Sequence, residues 1–368
     1  MINYKNIIFN EFKCDIWHTL KSNKLPILIY GMGNGADKII SVLEKYGIEY
    51  ADVFASDGFV RGHSYKGKRV ISYSEACEKY PSGFDILVSF GSKLPDVIEK
   101  IYSLEEKHNV YSPDVEVCGN ELFCEDFFFK HEKELYQARE CFCDDTSKEV
   151  FDNIVRYKLT GKLKYLKETA FSEEECDKLL NLDTYRTYLD LGAYNGDTIK
   201  KYISLCQNLE QIYAFEPDKR NFRKLCGFCE QITDKRIIAL NCAAYSFDTT
   251  LAFSSSGNRN STAIASGSFE HKTIEIDAKA PDSILSCVDF IKYDVEGLEY
   301  EALIGSKRLI STLSPDLLVS MYHKSQDMFK LPILIKELNP NYNLYLRRLP
   351  YIPAWDLNLY AIKTKKAI

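Results

Sequence analysis

The feature that most constrains the fold is a short apolar run, residues 188–191, that contains Asp190 and is followed by Gly192 and Gly196. An apolar run of this length that ends at glycine predicts a buried strand. The two glycines let the next loop bring its backbone close to a ligand before a helix starts near Asp197. The spacing D-x-G-x-x-x-G differs from the dinucleotide fingerprint, and an acid inside the turn would repel a phosphate. The pattern favours a nucleotide-type site for a cationic or hydroxyl-rich ligand.

The next predicted strand, residues 211–215, ends at Glu216. Glu216 lies about twenty residues beyond the glycine turn, where an α/β sheet places the acid that accepts both ribose hydroxyls. Strand, glycine turn, helix, strand and acid therefore form one unit. Further alternation of strands and helices predicts an open, doubly wound sheet in the second half of the chain.

Three acids, Asp294, Glu296 and Glu299, crowd the end of another predicted strand. Ligands bind at this edge of an open α/β sheet, which is also the edge where the Gly192 turn opens. We expect Asp294 and Glu296 to face a substrate. For Glu299, as for Glu301, attraction to the positive N-terminus of the following helix is the favoured explanation.

A further strand, residues 316–323, ends in His323, which the usual sheet order places beside Asp294. His323 is a candidate for removing a proton from a substrate hydroxyl, since its unperturbed pKa lies near neutrality. Asp294 or Glu296 either orients His323 or acts as the base directly. Clustered carboxylates permit Mg²⁺ at this edge, but the spacing does not require it, so we expect no resident metal.

Residues 190–196, 215–217 and 292–297 together resemble the class I S-adenosylmethionine-dependent methyltransferases of the FkbM type. The resemblance covers roughly the second half of the chain. It implies a Rossmann-like seven-stranded sheet, S-adenosylmethionine as cofactor, and O-methylation of a sugar, nucleotide-sugar or glycan precursor. FkbM-type chains also place a histidine at the strand end that His323 occupies. The implied cofactor-binding residues are Asp190, Gly192, Ala193, Tyr194, Asn195, Gly196, Asp197, Thr198, Glu216, Pro217, Asn241, Ala243, Ala244 and Asp294.

The N-terminal part of the chain contains a second, smaller Rossmann-like pattern. A strand runs into Gly31-x-Gly33-x-x-Ala36, and a helix and a strand ending near Asp57 follow. This stretch resembles the small N-terminal domain of the PglD-type sugar acetyltransferases, which receives a nucleotide-linked sugar. The resemblance makes Gly31, Gly33, Asn34 and Asp57 candidate contacts for such a ligand, although turn and cap roles explain them equally well.

Two other functions remain open at this point. The Gly31–Asp57 unit can be an NAD(P) site, which would make the chain a nicotinamide-dependent oxidoreductase whose second half is a substrate domain. The chain can also be a non-catalytic nucleotide-binding protein that keeps the fold. The better-formed nucleotide pattern around Gly192 and Glu216 favours the methyltransferase.

With 368 residues, the chain exceeds one typical domain. The patterns predict an N-terminal Rossmann-like domain over residues 1–112. A charged helical connector over residues 113–185 would roof the substrate pocket, and a methyltransferase domain would span residues 186–368.

Composition narrows the expected partners and location. The net charge is −6 with no long basic block, which excludes a nucleic-acid backbone as a natural partner and leaves a small-molecule or saccharide substrate. No apolar run approaches membrane-spanning length, and the start of the sequence lacks a signal-peptide pattern, so we expect a cytoplasmic protein. The twelve scattered cysteines fit reduced thiols in such a compartment. The sequence does not predict an oligomeric state.

Overall fold

The computed structural model describes residues 3–119, 121–232, 235–254 and 273–363. The strands are β1 Ile27–Tyr30, β2 Asp52–Ala55, β3 Ser64–Tyr65, β4 Lys68–Arg69, β5 Ile71–Ser72, β6 Asp85–Val88, β7 Asn109–Tyr111, β8 Thr187–Leu191, β9 Gln211–Phe215, β10 Ile237–Leu240, β11 Ala243–Ala244, β12 Thr249–Ser254, β13 Thr273–Lys279, β14 Phe290–Tyr293, β15 Asp316–Ser320, β16 Tyr342–Arg348 and β17 Leu357–Lys363. The helices are α1 Tyr4–Ile8, α2 Ile16–Ser22, α3 Asn34–Tyr46, α4 Tyr73–Lys79, α5 Pro95–Ser103, α6 Glu125–Lys130, α7 Glu132–Glu140, α8 Asp145–Thr160, α9 Lys164–Lys167, α10 Glu173–Asp177, α11 Asp197–Leu205, α12 Lys219–Ile232, α13 Pro281–Ile284, α14 Glu299–Gly305 and α15 Asp327–Leu338.

The larger sheet has seven strands in the order β10-β9-β8-β14-β15-β17-β16. Its first five strands are parallel, and β17 runs antiparallel between β15 and β16. Strands β8 and β14 lie in the middle, and all four residues of β14 are buried, as expected where both faces of a parallel sheet are covered. The seven-stranded sheet predicted for the second half of the chain is confirmed. Its carboxyl edge gathers the ends of β8, β9, β14 and β15.

The N-terminal unit has a parallel sheet of five strands in the order β5-β2-β1-β6-β7. Chain order changes direction between β1 and β6, which is the crevice where open α/β sheets bind ligands. The short hairpin β3-β4 forms a separate antiparallel sheet of two strands. The predicted smaller α/β unit is therefore present, with Gly31 and Gly33 between β1 and α3.

A single buried apolar cluster connects the two sheets through the helical connector. It includes Leu28 in β1, Phe151 in α8 and Leu191 in β8. Helix α8 is fixed at both ends, because the Asp144 side chain accepts a hydrogen bond from the Ser147 backbone amide and Gly161 closes the helix at φ 63°. The connector thus holds the two sheets against one core.

None of the helices in the described ranges is both long and apolar enough to cross a lipid bilayer.

Candidate functional site

The glycine turn after β8 brings three strand ends together. A Cβ atom at Gly192 would lie 1.9 Å from the backbone oxygen of Asp294, so only glycine lets β8 pass this close to the end of β14. The backbone amides of Gly192 and Ala193 both donate to the carbonyl of Phe215, at 3.0 and 2.9 Å. Helix α11 begins directly after Gly196, as predicted.

Glu216 at the end of β9 is buried and held by the backbone. One carboxylate oxygen accepts from the Tyr194 amide and the other from the Asp218 amide, each at 2.8 Å. Burial raises the pKa of Glu216 to about 7, although both amide donors act to lower it. Each oxygen keeps a second lone pair, so the oriented carboxylate can accept two further hydroxyls.

The segment after β10 supports Glu216 from the other side. The Asn241 side-chain amide donates to the carbonyls of Glu216 and Pro217, at 2.8 and 3.1 Å, and so holds the turn in place. Ala243 and Ala244 are buried and line the cavity described below. Asn241 therefore holds the turn that carries Glu216, and the small side chains of Ala243 and Ala244 leave space in the cavity.

Lys292 in β14 lies between two carboxylates of the site. Its ammonium group is 3.3 Å from Asp190 Oδ1 and 3.5 Å from Asp294 Oδ2. Burial acts to lower the pKa of Lys292, but these carboxylates raise it above the usual value. For Asp190, burial raises the pKa, and the opposing effect of Lys292 does not cancel this rise. The pKa of Asp294 is lowered, because Lys292 and His323 together outweigh the effect of its burial.

His323 follows β15 and faces carboxylates on both sides of its ring. Nδ1 lies 2.9 Å from Glu299 Oε1, and Nε2 lies 3.4 Å from Glu296 Oε2 and 3.7 Å from Asp294 Oδ1. Burial alone would lower the pKa of His323, but the carboxylates, led by Glu299, raise it to about 10. The imidazole is therefore protonated at neutral pH in the ligand-free site.

Glu299 faces His323, whereas the sequence favoured an interaction of Glu299 with the positive N-terminus of the following helix. Its side chain is completely buried, and Oε1 accepts from the Val295 amide at 2.9 Å while facing His323. No local sequence signal marks Glu299 for this role, because Glu299 and Glu301 are both acids in the first turn of α14. Lys292 was likewise part of the recognised run without being singled out as a site residue.

Glu296 presents its carboxylate to the cavity. Its side chain is 30% exposed, against 1% for His323. Its backbone adopts φ 51°, which is uncommon for a residue with a Cβ atom, and its carbonyl accepts from the Cys118 thiol at 3.2 Å. Burial raises the pKa of Glu296 to about 7, with the nearby carboxylates of Asp294 and Glu299 contributing to the rise.

A cavity of about 510 Å³ at the carboxyl edge of the large sheet is lined by Glu216, Lys292, Asp294, Glu296 and His323. The predicted residues that line it are Gly192, Tyr194, Asp197, Thr198, Glu216, Pro217, Ala243, Ala244, Asp294, Glu296 and His323. Five others support the wall without lining it: Asp190, Ala193, Asn195, Gly196 and Asn241. The connector contributes Val117, Glu173, Cys176 and Asp177, and Lys93 comes from the N-terminal unit.

The glycine turn of the N-terminal unit is arranged differently. The Gly33 carbonyl accepts from the Tyr65 hydroxyl at 3.1 Å, so the β3-β4 hairpin lies over the turn. Asp57 accepts from the backbone amide and hydroxyl of Ser74 in α4, at 3.0 and 2.9 Å. Gly31, Gly33, Asn34 and Asp57 are all absent from the wall of the 510 Å³ cavity. Their contact with a nucleotide-linked sugar stays a prediction.

A divalent cation would find candidate ligands beside His323. Ligand atoms of Asp294, Glu299 and His323 lie within 4.8 Å of one another. This set includes Glu299, which the sequence had placed at the helix N-terminus, and does not include Glu296. Glu299 Oε1 accepts a hydrogen bond from the Val295 amide and faces His323, so a metal ion at this place would compete with both contacts.

The chain is similar to known proteins both in sequence and in fold. Residues 190–353 match the profile described as the Methyltransferase FkbM domain. No curated protein matches the chain. The structure of methyltransferase FkbM from Methylobacillus flagellatus KT is similar with a TM-score of 0.72 and 20% sequence identity, covering 95% of this chain and 94% of that one.

Two more distant structures cover about half of this chain. Precorrin-6y C5,15-methyltransferase from Geobacter metallireducens GS-15 has a TM-score of 0.35 and 10% identity, over 54% of this chain and 95% of that one. A Streptococcus mutans protein described as a methyltransferase and solved in complex with SAH has a TM-score of 0.33 and 14% identity, over 52% of this chain and 97% of that one. Residues 190–353 are therefore similar to the Methyltransferase FkbM domain, and the likeness along nearly the whole chain supports a class I methyltransferase fold.

Proposed function

We propose that the protein is an S-adenosylmethionine-dependent methyltransferase that methylates a hydroxyl of a sugar, nucleotide-sugar or glycan precursor. The observation that carries the cofactor assignment is the oriented Glu216 carboxylate beside the open Gly192 turn. A carboxylate held by two backbone amides is ready to accept the two hydroxyls of a ribose without further reorganisation. When bound, S-adenosylmethionine supplies an activated methyl group on a sulfonium cation.

The charge of the cavity fits a cationic ligand. Carboxylates outnumber lysines seven to three among the lining residues. Two of these lysines, Lys201 and Lys292, lie in ion pairs with acids. The acids beside the glycine turn, Asp197 and Glu216, attract a sulfonium and disfavour a pyrophosphate there, which separates the cofactor half of the cavity from a dinucleotide site.

The proton of the acceptor hydroxyl is taken by Glu296. Its carboxylate reaches the cavity, and its pKa of about 7 suits a general base that works near neutral pH. His323 is a positioning residue, since it is buried, protonated and 3.4 Å from Glu296. Glu299 keeps His323 charged, and His323 in turn fixes the position of Glu296. Asp294, with its lowered pKa, stays ionised and helps orient the acceptor.

The first test is calorimetric titration of the full chain with S-adenosylhomocysteine and, separately, with NADH. Binding of the homocysteine ligand supports the assignment, and methyl transfer is then screened on monosaccharides, sugar phosphates and nucleotide sugars. Binding of NADH alone would overturn the assignment and move the chemistry to the N-terminal unit.

The second test separates an enzyme from a binding protein. We expect Glu296→Gln to lower kcat by about 100-fold or more while S-adenosylhomocysteine affinity stays within about twofold. Glu301→Gln is the matched control, because Glu301 lies in α14, five residues after Glu296, and does not line the cavity. His323→Gln should shift the pH profile of kcat, since it removes the positive charge beside Glu296. Equal turnover in Glu296→Gln and wild type would exclude Glu296 as the base.

A further inference from the structure

The cavity has a second half that lies beyond Asp294. In the sheet order, β8, β9 and β10 lie on one side of β14, while β15 and β17 lie on the other. Because β17 is antiparallel, the residues just before it reach the same edge as the end of β15, and the register pairs Ser320 with Asn358. The turn between β16 and β17 therefore meets the acceptor side of the site.

This turn supplies a surface suited to a hydroxylated ring. The rings of Tyr351 and Trp355 lie with centroids 5.3 Å apart, and both line the cavity. Asp356 and Asn358 line it beside them. Aromatic faces together with a carboxylate and an amide offer both apolar contact and hydrogen-bond partners to a ring that bears hydroxyl groups.

The N-terminal unit is attached to this surface by the loop between β6 and α5. Ser92 and Ile352 exchange both backbone hydrogen bonds, at 2.8 and 3.0 Å. A Cβ atom at Gly91 would lie 2.6 Å from the Trp355 ring, so glycine permits this close approach. The next residue in the loop, Lys93, consequently forms part of the cavity wall.

Lys93 differs from the other two lysines that line the cavity. Lys201 pairs with Glu173 and Asp177 at 3.2 and 3.0 Å, and Lys292 pairs with Asp190. Across the described part of the chain, Lys93 has neither an acidic partner nor a hydrogen-bond acceptor. Lys93 is an exposed lysine on a docked loop beside an acidic cavity, and without an acidic partner among the described residues it is available to an anion that the ligand itself brings.

We infer that Lys93 binds an anionic group, phosphate or carboxylate, of an acceptor whose hydroxylated ring lies against Tyr351 and Trp355. The inference rests on the proposed function and refines it. The acceptor is then an acidic or phosphorylated sugar-like molecule, and the N-terminal unit takes part in acceptor selection through one side chain.

The test uses the full chain with saturating S-adenosylhomocysteine, titrated with glucose 6-phosphate, glucuronate and glucose. Tryptophan fluorescence reports binding, because the chain has two tryptophans and the other one, Trp17, is buried in a separate apolar cluster. We expect at least one anionic sugar to bind about tenfold more tightly than glucose. Lys93→Glu should abolish that preference, and Lys93→Arg should retain it. The two anionic sugars distinguish phosphate from carboxylate.

Lys133→Glu is the matched control, since it makes the same charge change at an exposed position of α7 that does not line the cavity. Equal binding of the anionic sugars by Lys93→Glu and wild type would overturn the inference, as would no preference for either anionic sugar in wild type. Calorimetry with S-adenosylhomocysteine separates the two levels of failure. If the wild-type protein binds S-adenosylhomocysteine, a negative result with the sugars contradicts only the inference about Lys93. If the wild-type protein does not bind S-adenosylhomocysteine, the proposed function itself is contradicted.

Discussion

The two sheets of this protein begin in the same way and use the same turn differently. In each, a buried strand runs through two glycines into a helix, at Gly31 and Gly33 after β1 and at Gly192 and Gly196 after β8. In the N-terminal unit the Tyr65 hydroxyl covers the Gly33 carbonyl. In the larger sheet the Gly192 turn opens onto the cavity. A strand–glycine–helix turn is therefore a packing solution first, and it becomes a binding site only where its surroundings leave space.

The acid after the second strand separates the two units as clearly as the turn does. Glu216 points back to the turn and accepts from the Tyr194 amide. Asp57, its counterpart in the N-terminal unit, instead points to α4 and accepts from Ser74. Both acids follow the second strand of a Rossmann-like unit, but only Glu216 lies on a cavity wall.

The largest effect is expected from Glu216→Ala. Two hydrogen bonds to an ionised carboxylate are worth about 1.5–3 kcal/mol each, so the substitution should weaken S-adenosylhomocysteine binding by about 100-fold or more. Asp57→Ala should leave that affinity unchanged. Calorimetry on the two variants measures the contrast directly. A similar loss in both would mean that the N-terminal unit also takes part in cofactor binding.

The second largest effect tests whether the N-terminal turn serves packing. A Cβ atom at Gly35 in α3 would lie 2.1 Å from the Ser89 carbonyl oxygen. Gly35→Ala should therefore lower the free energy of unfolding by about 3 kcal/mol through overpacking. Gly58→Ala, where a Cβ atom meets nothing within 4 Å, is the control and should change stability little. Urea unfolding measures both, and a Gly35→Ala protein as stable as wild type would show that this turn is not tightly packed.

Much of the larger sheet was predictable because its signals are local. The run around Asp190 and Gly192, with Glu216 after the next strand, determines strand, turn, helix and acid within one stretch of sequence. His323 was placed beside Asp294 from sheet order, and the structure has their side chains 3.7 Å apart. Each of these inferences needed only the periodicity of a strand and the topology of a doubly wound sheet.

The features that sequence reasoning missed depend on contacts between distant segments. Nothing local distinguishes Glu299, which faces His323, from Glu301, which lies in the same helical turn. Lys93 reaches the cavity because the β6–α5 loop docks on the β16–β17 turn, more than 250 residues further along the chain. Burial and charge pairing across such separations are tertiary properties, and a single sequence does not encode them in any short pattern.

A smaller effect is expected from pH, again on one unit only. The folded-state pKa of Glu216, about 7, lies above its usual value. Its contribution to the stability of the ligand-free protein is therefore fully present below pH about 4.3 and lost as pH rises through about 7. Ribose hydroxyls donate to the ionised form, so S-adenosylhomocysteine affinity should rise by about tenfold from pH about 6 to about 8.

Glu216→Gln should remove most of this pH dependence, which distinguishes Glu216 from Glu296, whose pKa is also about 7. Calorimetry at three pH values measures the slope. A wild-type affinity that is flat across this range would mean that Glu216 is already ionised before the ligand binds.

The smallest effect is expected for stability at the other acid. Asp57 accepts hydrogen bonds from the amide and hydroxyl of Ser74 in the first turn of α4, whose N-cap is Ser72, and these bonds lower the pKa of the Asp57 carboxyl group. Loss of hydrogen bonds of this kind costs about 1 kcal/mol, so Asp57→Ala should lower the free energy of unfolding by that amount. Asp57→Asn keeps an acceptor for the amide and should recover about half of the loss, whereas an acid reserved for a ligand would leave stability unchanged or improved when removed. Urea unfolding of the two variants, combined with NADH titration, decides between these roles. A destabilised Asp57→Ala protein with unaltered ligand binding means that Asp57 holds helix α4 in the N-terminal unit. In that case only the larger sheet uses the acid after its second strand to recognise a ligand.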